Sequence, residues 1–288
     1  MHMNRKHQTI LVIGASGRQG GAAARQLLER GWTVRALIRD PGHPQAAELR
    51  RLGAEIAEGD LNLPASVRSA MEGVYGVFSV QALHLDDLER EFRHGYTIAE
   101  AAKAAGVLHF VYSSAAGADR ATGITAFENK GRLERAIQAL SLPATILRPA
   151  MFMDNFLPFL RSSDTDRPVI LPYMGPPDTQ VQLISVQDIG TAAALAFEEP
   201  QLYIGEAAEL AGDELSLEQL RQTLQTVLGM PVAFAGPPAA AGAAEEHDGV
   251  KAAAFFHREG FRADLASLRE RLPGLLRFED WLRHNTAG

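Results

Sequence analysis

TILVIGASGRQGGAAARQLLE (residues 9–29) decides the fold. Its opening, TILVIG, is a short apolar run ending in glycine, the mark of a strand buried on both faces. Residues 19–29 read as a helix stopped by Gly31. Between them Gly14, Gly17 and Gly20 are spaced G-x-x-G-x-x-G. At a strand-to-helix turn, glycines allow a tight bend, close backbone approach and close packing of helix on strand. The helix N-terminus then offers free N–H groups to an anion. Gly14, Ala15, Ser16, Gly17, Arg18 and Gln19 are therefore expected to cradle the diphosphate of a dinucleotide.

Outward from this unit, strands are expected at residues 33–39, 54–60, 76–80, 109–113 and 144–147. Helices are expected at 44–52, 66–71 and 87–105, with a further one around Lys130. Such alternation at short spacing predicts an α/β fold, a doubly wound parallel Rossmann-type sheet with helices on both faces. Beyond Pro149 the rhythm fails. MFMDNFLPFL, LPYMGPP and the strand candidate VQLIS, with helices at 186–197 and 217–228, suggest a smaller α/β C-terminal lobe. The expected division is a dinucleotide-binding domain over residues 1–150 and an interleaved lobe over 151–288. PPAAAGAAEE (237–246) reads either as a linker or as the helical start of a lid.

Composition narrows the function. Across 288 residues, 46% are apolar, enough for a packed core. A formal charge of −7 offers no attraction to a phosphate backbone, which argues against direct nucleic-acid binding. No run is long enough to span a membrane, and the opening MHMNRKHQ lacks a signal-peptide core. The absence of cysteine rules out disulfides and thiolate metal sites, and fits a cytoplasmic location. The nine histidines show no metal-ligating spacing.

At the end of the second strand, Arg39 stands where the adenosine ribose of a dinucleotide lies. A guanidinium there pairs with the 2′-phosphate of NADP(H), whereas a carboxylate accepts from the 2′-hydroxyl of NAD(H). Asp40 is adjacent, but Pro41 after it starts a turn, so NADP(H) is the expected cofactor and NAD(H) the second choice. Asp60 and Leu61 close the third strand, where an aspartate can accept from adenine; a turn or cap is the competing role. Gln81, Ala82 and Leu83 follow the fourth strand and would border the inner ribose.

In TAFENKGRLERAI, Lys130 stands one helical turn after Ala126. A tyrosine at that place hands a proton to substrate in short-chain reductases, its pKa lowered by the lysine ammonium. Ala126 and Phe127 have nothing to donate. Tyr112 is the one nearby substitute, but strand alternation aims it away from Ser113, as half-buried packing. Lys130 retains a use without an acid, since its ammonium can donate to cofactor ribose hydroxyls.

GASGRQGG, RALIRDP, AEIAEGDL, HFVYSS, FENKGRLE, TILRPAMFMDNF and the terminal RFEDWLRHN resemble, in order and spacing, the NmrA-like proteins. These are atypical short-chain dehydrogenase/reductases, and the HSCARG-like NADP(H) sensors are the most similar subgroup. The resemblance implies an NmrA-like domain over about residues 8–284. It also implies that Gly14 to Gln19 hold the diphosphate and Arg39 the 2′-phosphate, with His43 near the latter. Asp60 and Leu61 would flank adenine, and Gln81, Ala82 and Leu83 would line the ribose channel. Lys130 would bond the nicotinamide ribose, and Arg93 would supply a cation from the long helix. Phe152, Met153, Asp154 and Asn155 would wall the nicotinamide, although their apolar spacing equally suits a core, and Asp154 and Asn155 a helix cap. The implied function is a cofactor sensor or regulator acting through a protein partner or self-association. The alternative is an NADPH-dependent oxidoreductase for quinone, azo or similar electron-sink acceptors.

Overall fold

The computed structural model describes residues 8–82, 87–160, 168–237 and 248–286. The first half alternates as its sequence pattern requires: β1 (Thr9–Val12), α1 (Arg18–Glu29), β2 (Thr33–Ile38), α2 (Pro44–Arg51), β3 (Glu55–Glu58) and α3 (Pro64–Ala70). These are followed by β4 (Gly76–Ser79), α4 (Leu88–Ala104), β5 (His109–Ser113), α5 (Thr125–Ala139) and β6 (Ala144–Pro149). The second half holds β7 (Met151–Phe152), a 3-10 turn (Met153–Phe156), α6 (Leu157–Leu160), β8 (Val169–Leu171), β9 (Gln180–Ile184), α7 (Val186–Glu198) and α8 (Pro200–Tyr203). It ends with β10 (Ala207–Leu210), β11 (Asp213–Ser216), α9 (Leu217–Leu228), β12 (Val232–Phe234), α10 (Asp248–Arg258), α11 (Leu265–Arg271) and α12 (Phe278–Thr286).

The main sheet has seven strands in the order β10-β6-β5-β4-β1-β2-β3. Every pairing in it is parallel, and the chain changes winding direction between β1 and β4. In such sheets ligands bind in the crevice beyond the carboxyl ends of the strands at that switch. Apolar residues cover both faces. Val12, Val34, Ala36 and Phe78 meet α1 and α7 on one side, and Leu11, Ile13, Val77 and Phe110 meet α3, α4 and α5 on the other.

Sequence and structure part company after residue 150. Beyond Pro149 the chain leaves the sheet and then returns: α7 lies against α1, and β10 adds a seventh strand beside β6. The α1–α7 contact is backbone against backbone, since a Cβ on Gly190 would come 2.7 Å from the Ala22 carbonyl carbon. The lobe proper consists of β11-β9-β7, β12-β8 and α9 with α12, around Met153, Phe156, Leu183, Leu217, Phe278 and Trp281. Residues 238–246 of the low-complexity stretch lie outside the described residues. Among the described residues no helix is long and apolar enough to cross a membrane.

Candidate functional site

The glycine loop has a different demand at each glycine. Gly14 sits at φ +70°, in the left-handed region, with a hypothetical Cβ 2.9 Å from Val80 Cγ1. Gly17 has ordinary angles, caps α1, and donates its N–H to the Gly14 carbonyl at 2.8 Å. Gly20, inside α1, allows the helix to lie on the loop, because a Cβ there would be 2.2 Å from the Gly14 oxygen. Among α1's first residues, Arg18 is exposed and Gln19 half-buried, and no side chain caps the N-terminus. The result is a bare helix end facing the crevice, able to receive an anion.

Beside it lies a cleft of about 300 Å³ lined by Gly14, Ser16, Leu37, Arg39, Gly59, Asp60, Leu61, Asn62, Val80, Ala82, Arg90 and His94, with Ile13 at its base. The sequence-derived residues Gly14, Ser16, Arg39, Asp60, Leu61 and Ala82 thus converge on one space. Arg39 is exposed, and its guanidinium makes no ion pair among the described residues. Asp40 instead closes its own turn, Oδ1 accepting from the Gly42 amide at 2.8 Å. His43 caps α2, its Nδ1 accepting from the Gln45 amide at 3.1 Å, and does not line the cleft. Asp60 Oδ1 accepts from both the amide and the side chain of Asn62, each at 2.9 Å. A glycine turn that packs too closely for Cβ atoms at Gly14 and Gly20, a bare helix end and a guanidinium at the cleft wall fit a dinucleotide.

Arg93 stands outside this group. Its side chain is 62% exposed and lies 3.9 Å from Asp87, while Arg90 and His94, one turn apart on the same helix, face the cleft. His94 Nε2 lies 2.9 Å from Asn62 Oδ1. The signal for these two was the i, i+4 spacing on α4, but its phase is set by packing and cannot be read locally. Leu83 lies outside the described residues.

Across the switch, the polar groups bond to one another. Gln81 turns inward, its Nε2 donating to Ser79 Oγ at 2.8 Å, so Ala82 rather than Gln81 forms the cleft wall. Ser113 Oγ donates to Gln19 Oε1 at 2.7 Å, tying β5 to the glycine loop. Lys130 does not extend into open space: its ammonium is 2.7 Å from Glu91 Oε1 and 5.7 Å from the centre of the Tyr112 ring. Asn129 Nδ2 completes the carboxylate at 2.9 Å. Tyr112 is fully buried, deeper than the half-burial expected, because α4 and α5 close over β5. Burial, reinforced by Glu91 and Glu134, pushes its phenol well above its usual pKa. The phenol is therefore part of the packed core rather than of the open cleft.

The segment after β6 divides by position. Met153 and Phe156 belong to the lobe core, Phe152 is half-buried against the main core, and Asn155 is exposed. Asp154 caps a helix other than its own: its Oδ2 accepts from the Val186 amide, the first of α7, at 3.0 Å. Burial raises its pKa above the usual carboxylate range, opposed by that amide and by Arg18. Arg18 Nη1 donates to the Asp154 carbonyl at 3.1 Å, joining the glycine loop to the lobe. Among the described residues no cluster of ligand side chains could hold a metal ion.

Known proteins supply an independent comparison. The NmrA-like family profile matches residues 6–242. An NAD(P)H azoreductase of Xenophilus azovorans is 30% identical over 226 residues, covering 78% of this chain and 76% of the azoreductase. The structure of the negative transcriptional regulator NmrA in complex with NADP superposes with a TM-score of 0.78 at 21% identity, over 96% of this chain and 95% of that one. The triphenylmethane reductase of Citrobacter sp., complexed with NADP(H), gives 0.77 at 23% identity, over 96% and 99%. At those identities the two structures establish a common fold.

Proposed function

The chain belongs to the NmrA-like family, and from that premise we propose that it binds NADP(H) at the β1/β4 switch and serves as a cofactor-sensing regulator. Gly14 to Gln19 receive the diphosphate, Arg39 the 2′-phosphate, and Asp60 and Leu61 flank the adenine. NADP(H) is favoured over NAD(H) because Arg39 lines the cleft while the Asp40 carboxylate is engaged by its own turn. The nucleotide-binding part is residues 1–150 with α7 and β10 returned to its sheet, and the rest of residues 151–288, interleaved with it, forms the lobe whose movement reports occupancy. Arg18 and Asp154 link the two. The location is cytoplasmic, and the readout is a protein partner or a second copy of the chain.

The observation that carries this reading is that, among the described residues, no hydroxyl acid stands one turn before Lys130. Ala126 has no hydroxyl, Tyr112 is sealed in the core, and Lys130 itself is held by Glu91. The bound cofactor would supply a hydride, and neither Ala126, at the usual place of the tyrosine, nor the buried Tyr112 is placed to deliver the accompanying proton. A sensor of redox state must also bind NADPH and NADP⁺ unequally, because equal binding shifts no equilibrium.

A second reading draws on the azoreductase likeness: an NADPH-dependent oxidoreductase for quinone, azo or similar acceptors. Such acceptors take hydride into an electron sink and draw the proton from water. Titration of the purified protein with the four nicotinamide dinucleotides, followed by NADPH oxidation against an acceptor panel, separates the two. Unequal NADPH and NADP⁺ affinities with a flat absorbance trace support the regulator. Steady oxidation supports the reductase, and equal affinities remove redox sensing.

A further inference from the structure

A buried ion pair outside the open cleft joins α4 to α5. Glu91 on α4 is 1% exposed in its side chain and Lys130 on α5 only 11%, yet they meet at 2.7 Å. Removing two opposite charges from water costs more than their attraction returns unless further bonds complete them. Here Asn129 donates to the second carboxylate oxygen at 2.9 Å and to the Leu88 carbonyl at 3.2 Å, clamping the pair between the two helices. The face of Tyr112 stands on the other side of the ammonium.

The pair sits beside the part of the crevice that the adenosine end of a dinucleotide leaves over. The open cleft occupies the β1-β2-β3 side of the switch. A dinucleotide laid across the switch must extend over β4 and β5. Lys130 lies against Tyr112 at the end of β5, and the next residue, Ser113, is bonded to Gln19 of the glycine loop. The oxidised nicotinamide ring is a cation and the reduced ring is neutral. A lone ammonium nearby would penalise the oxidised form, whereas an ammonium with a carboxylate at contact distance acts as a compact dipole whose field falls off quickly. The next cation in this layer, Arg148, is likewise bound, by Glu134 and Asp119 at 2.6 Å each.

We propose that Glu91 is a positioning and charge-balancing residue: it cancels Lys130, so that this pair adds no net charge beside the nicotinamide end, and thereby sets the relative affinity for NADP⁺ and NADPH. This rests on the cofactor reading above. A plain staple between α4 and α5 would alter stability and both affinities together, whereas charge balance acts on their ratio.

The test is calorimetric titration of the full chain with NADP⁺ and with NADPH, with thermal unfolding of each variant as the check on folding. Glu91→Gln leaves an uncompensated ammonium, and Kd(NADP⁺)/Kd(NADPH) rises about tenfold for charges several ångströms apart at the effective dielectric of such sites. Lys130→Met leaves the carboxylate, and the ratio moves in the opposite direction. The double variant returns it to within about twofold of the wild-type value. Each single variant tests the sign alone if the other fails to fold. A ratio unchanged in folded variants, or moved the same way by both, overturns the proposal. A wild-type chain that binds neither form overturns the cofactor reading itself, an outcome distinct from normal binding with an indifferent ratio.

Discussion

On the β1-β2-β3 side of the switch, polar groups point into a cleft: the bare end of α1, Arg39, and the loop from Asp60 to Asn62. On the β4-β5-β6 side they face one another. Lys130 is held by Glu91, Ser113 by Gln19, and Arg148 by Glu134 and Asp119. The first half is therefore prepared to accept charge from a ligand, and in the second the named charged groups are already engaged with one another. The open half is arranged to receive an anion, whereas in the other half Lys130 and Tyr112 are engaged within the packed core. Gly131 shows how tightly the second half is closed: a Cβ on it would lie 2.2 Å from the Ala118 oxygen.

The largest expected effect tests whether the open half depends on close packing. Gly20→Val would drive a side chain into the Gly14 carbonyl. Stability should fall by about 4 kcal/mol or more, read by denaturant unfolding, with cofactor uptake lost. A stable variant that still binds would show that the loop is plastic and the contrast overstated.

Next comes acid sensitivity on the closed side. His109, at the opposite end of β5 from the cleft, has Nε2 at 2.8 Å from Thr145 Oγ1, which itself donates to the Tyr203 carbonyl. That hydroxyl must accept from the ring, so Nε2 carries a proton. Burial lowers its pKa to about 4. The unfolded chain therefore binds more protons than the folded one between about pH 6.5 and 4, and stability falls as pH drops through that window. The full difference is roughly 3 kcal/mol. His109→Gln keeps a donor for Thr145, and its stability profile should be flatter than the wild type's by that amount in pH-dependent unfolding. Parallel profiles would remove the claim.

Arg39→Gln should cost about 2 kcal/mol, roughly thirtyfold, in NADPH affinity while NADH binding changes little. Equal loss for both would assign Arg39 a general electrostatic role instead. The smallest expected effect is Tyr112→Phe, with binding and any turnover within about twofold of wild type. A tenfold loss of turnover would reopen Tyr112 as the acid and break the distinction between the two halves.

The open half was largely legible in the sequence because its signals are local. A glycine spacing between a strand and a helix, and an arginine at a strand end, keep their meaning whatever packs around them. Asp40's turn was likewise announced by Pro41. The closed half was less legible because its meaning is relational. Alternation correctly aimed Tyr112 away from Ser113, but its depth depends on how α4 and α5 settle over β5. Nothing near Glu91 names Lys130 as its partner, since the two meet only through helix packing. Arg93 was expected to supply the cation of the long helix, but the helix phase turns Arg90 and His94 to the cleft instead. Strand β10 was missed for the same reason: AAEL has no strand pattern and becomes a strand by pairing with β6.

The central claim is that the open half receives a dinucleotide diphosphate together with a 2′-phosphate. Titrating the purified protein with NADPH, NADP⁺, NADH and NAD⁺, alongside Gly17→Val, tests it most directly. The phosphorylated pair is expected to bind more tightly than the other two, and Gly17→Val, whose backbone angles are ordinary but whose Cβ would stand 3.2 Å from the Gly14 oxygen, to lose that binding while thermal unfolding shows it folded. No uptake of any of the four by the wild type, or undiminished uptake by the variant, would contradict it.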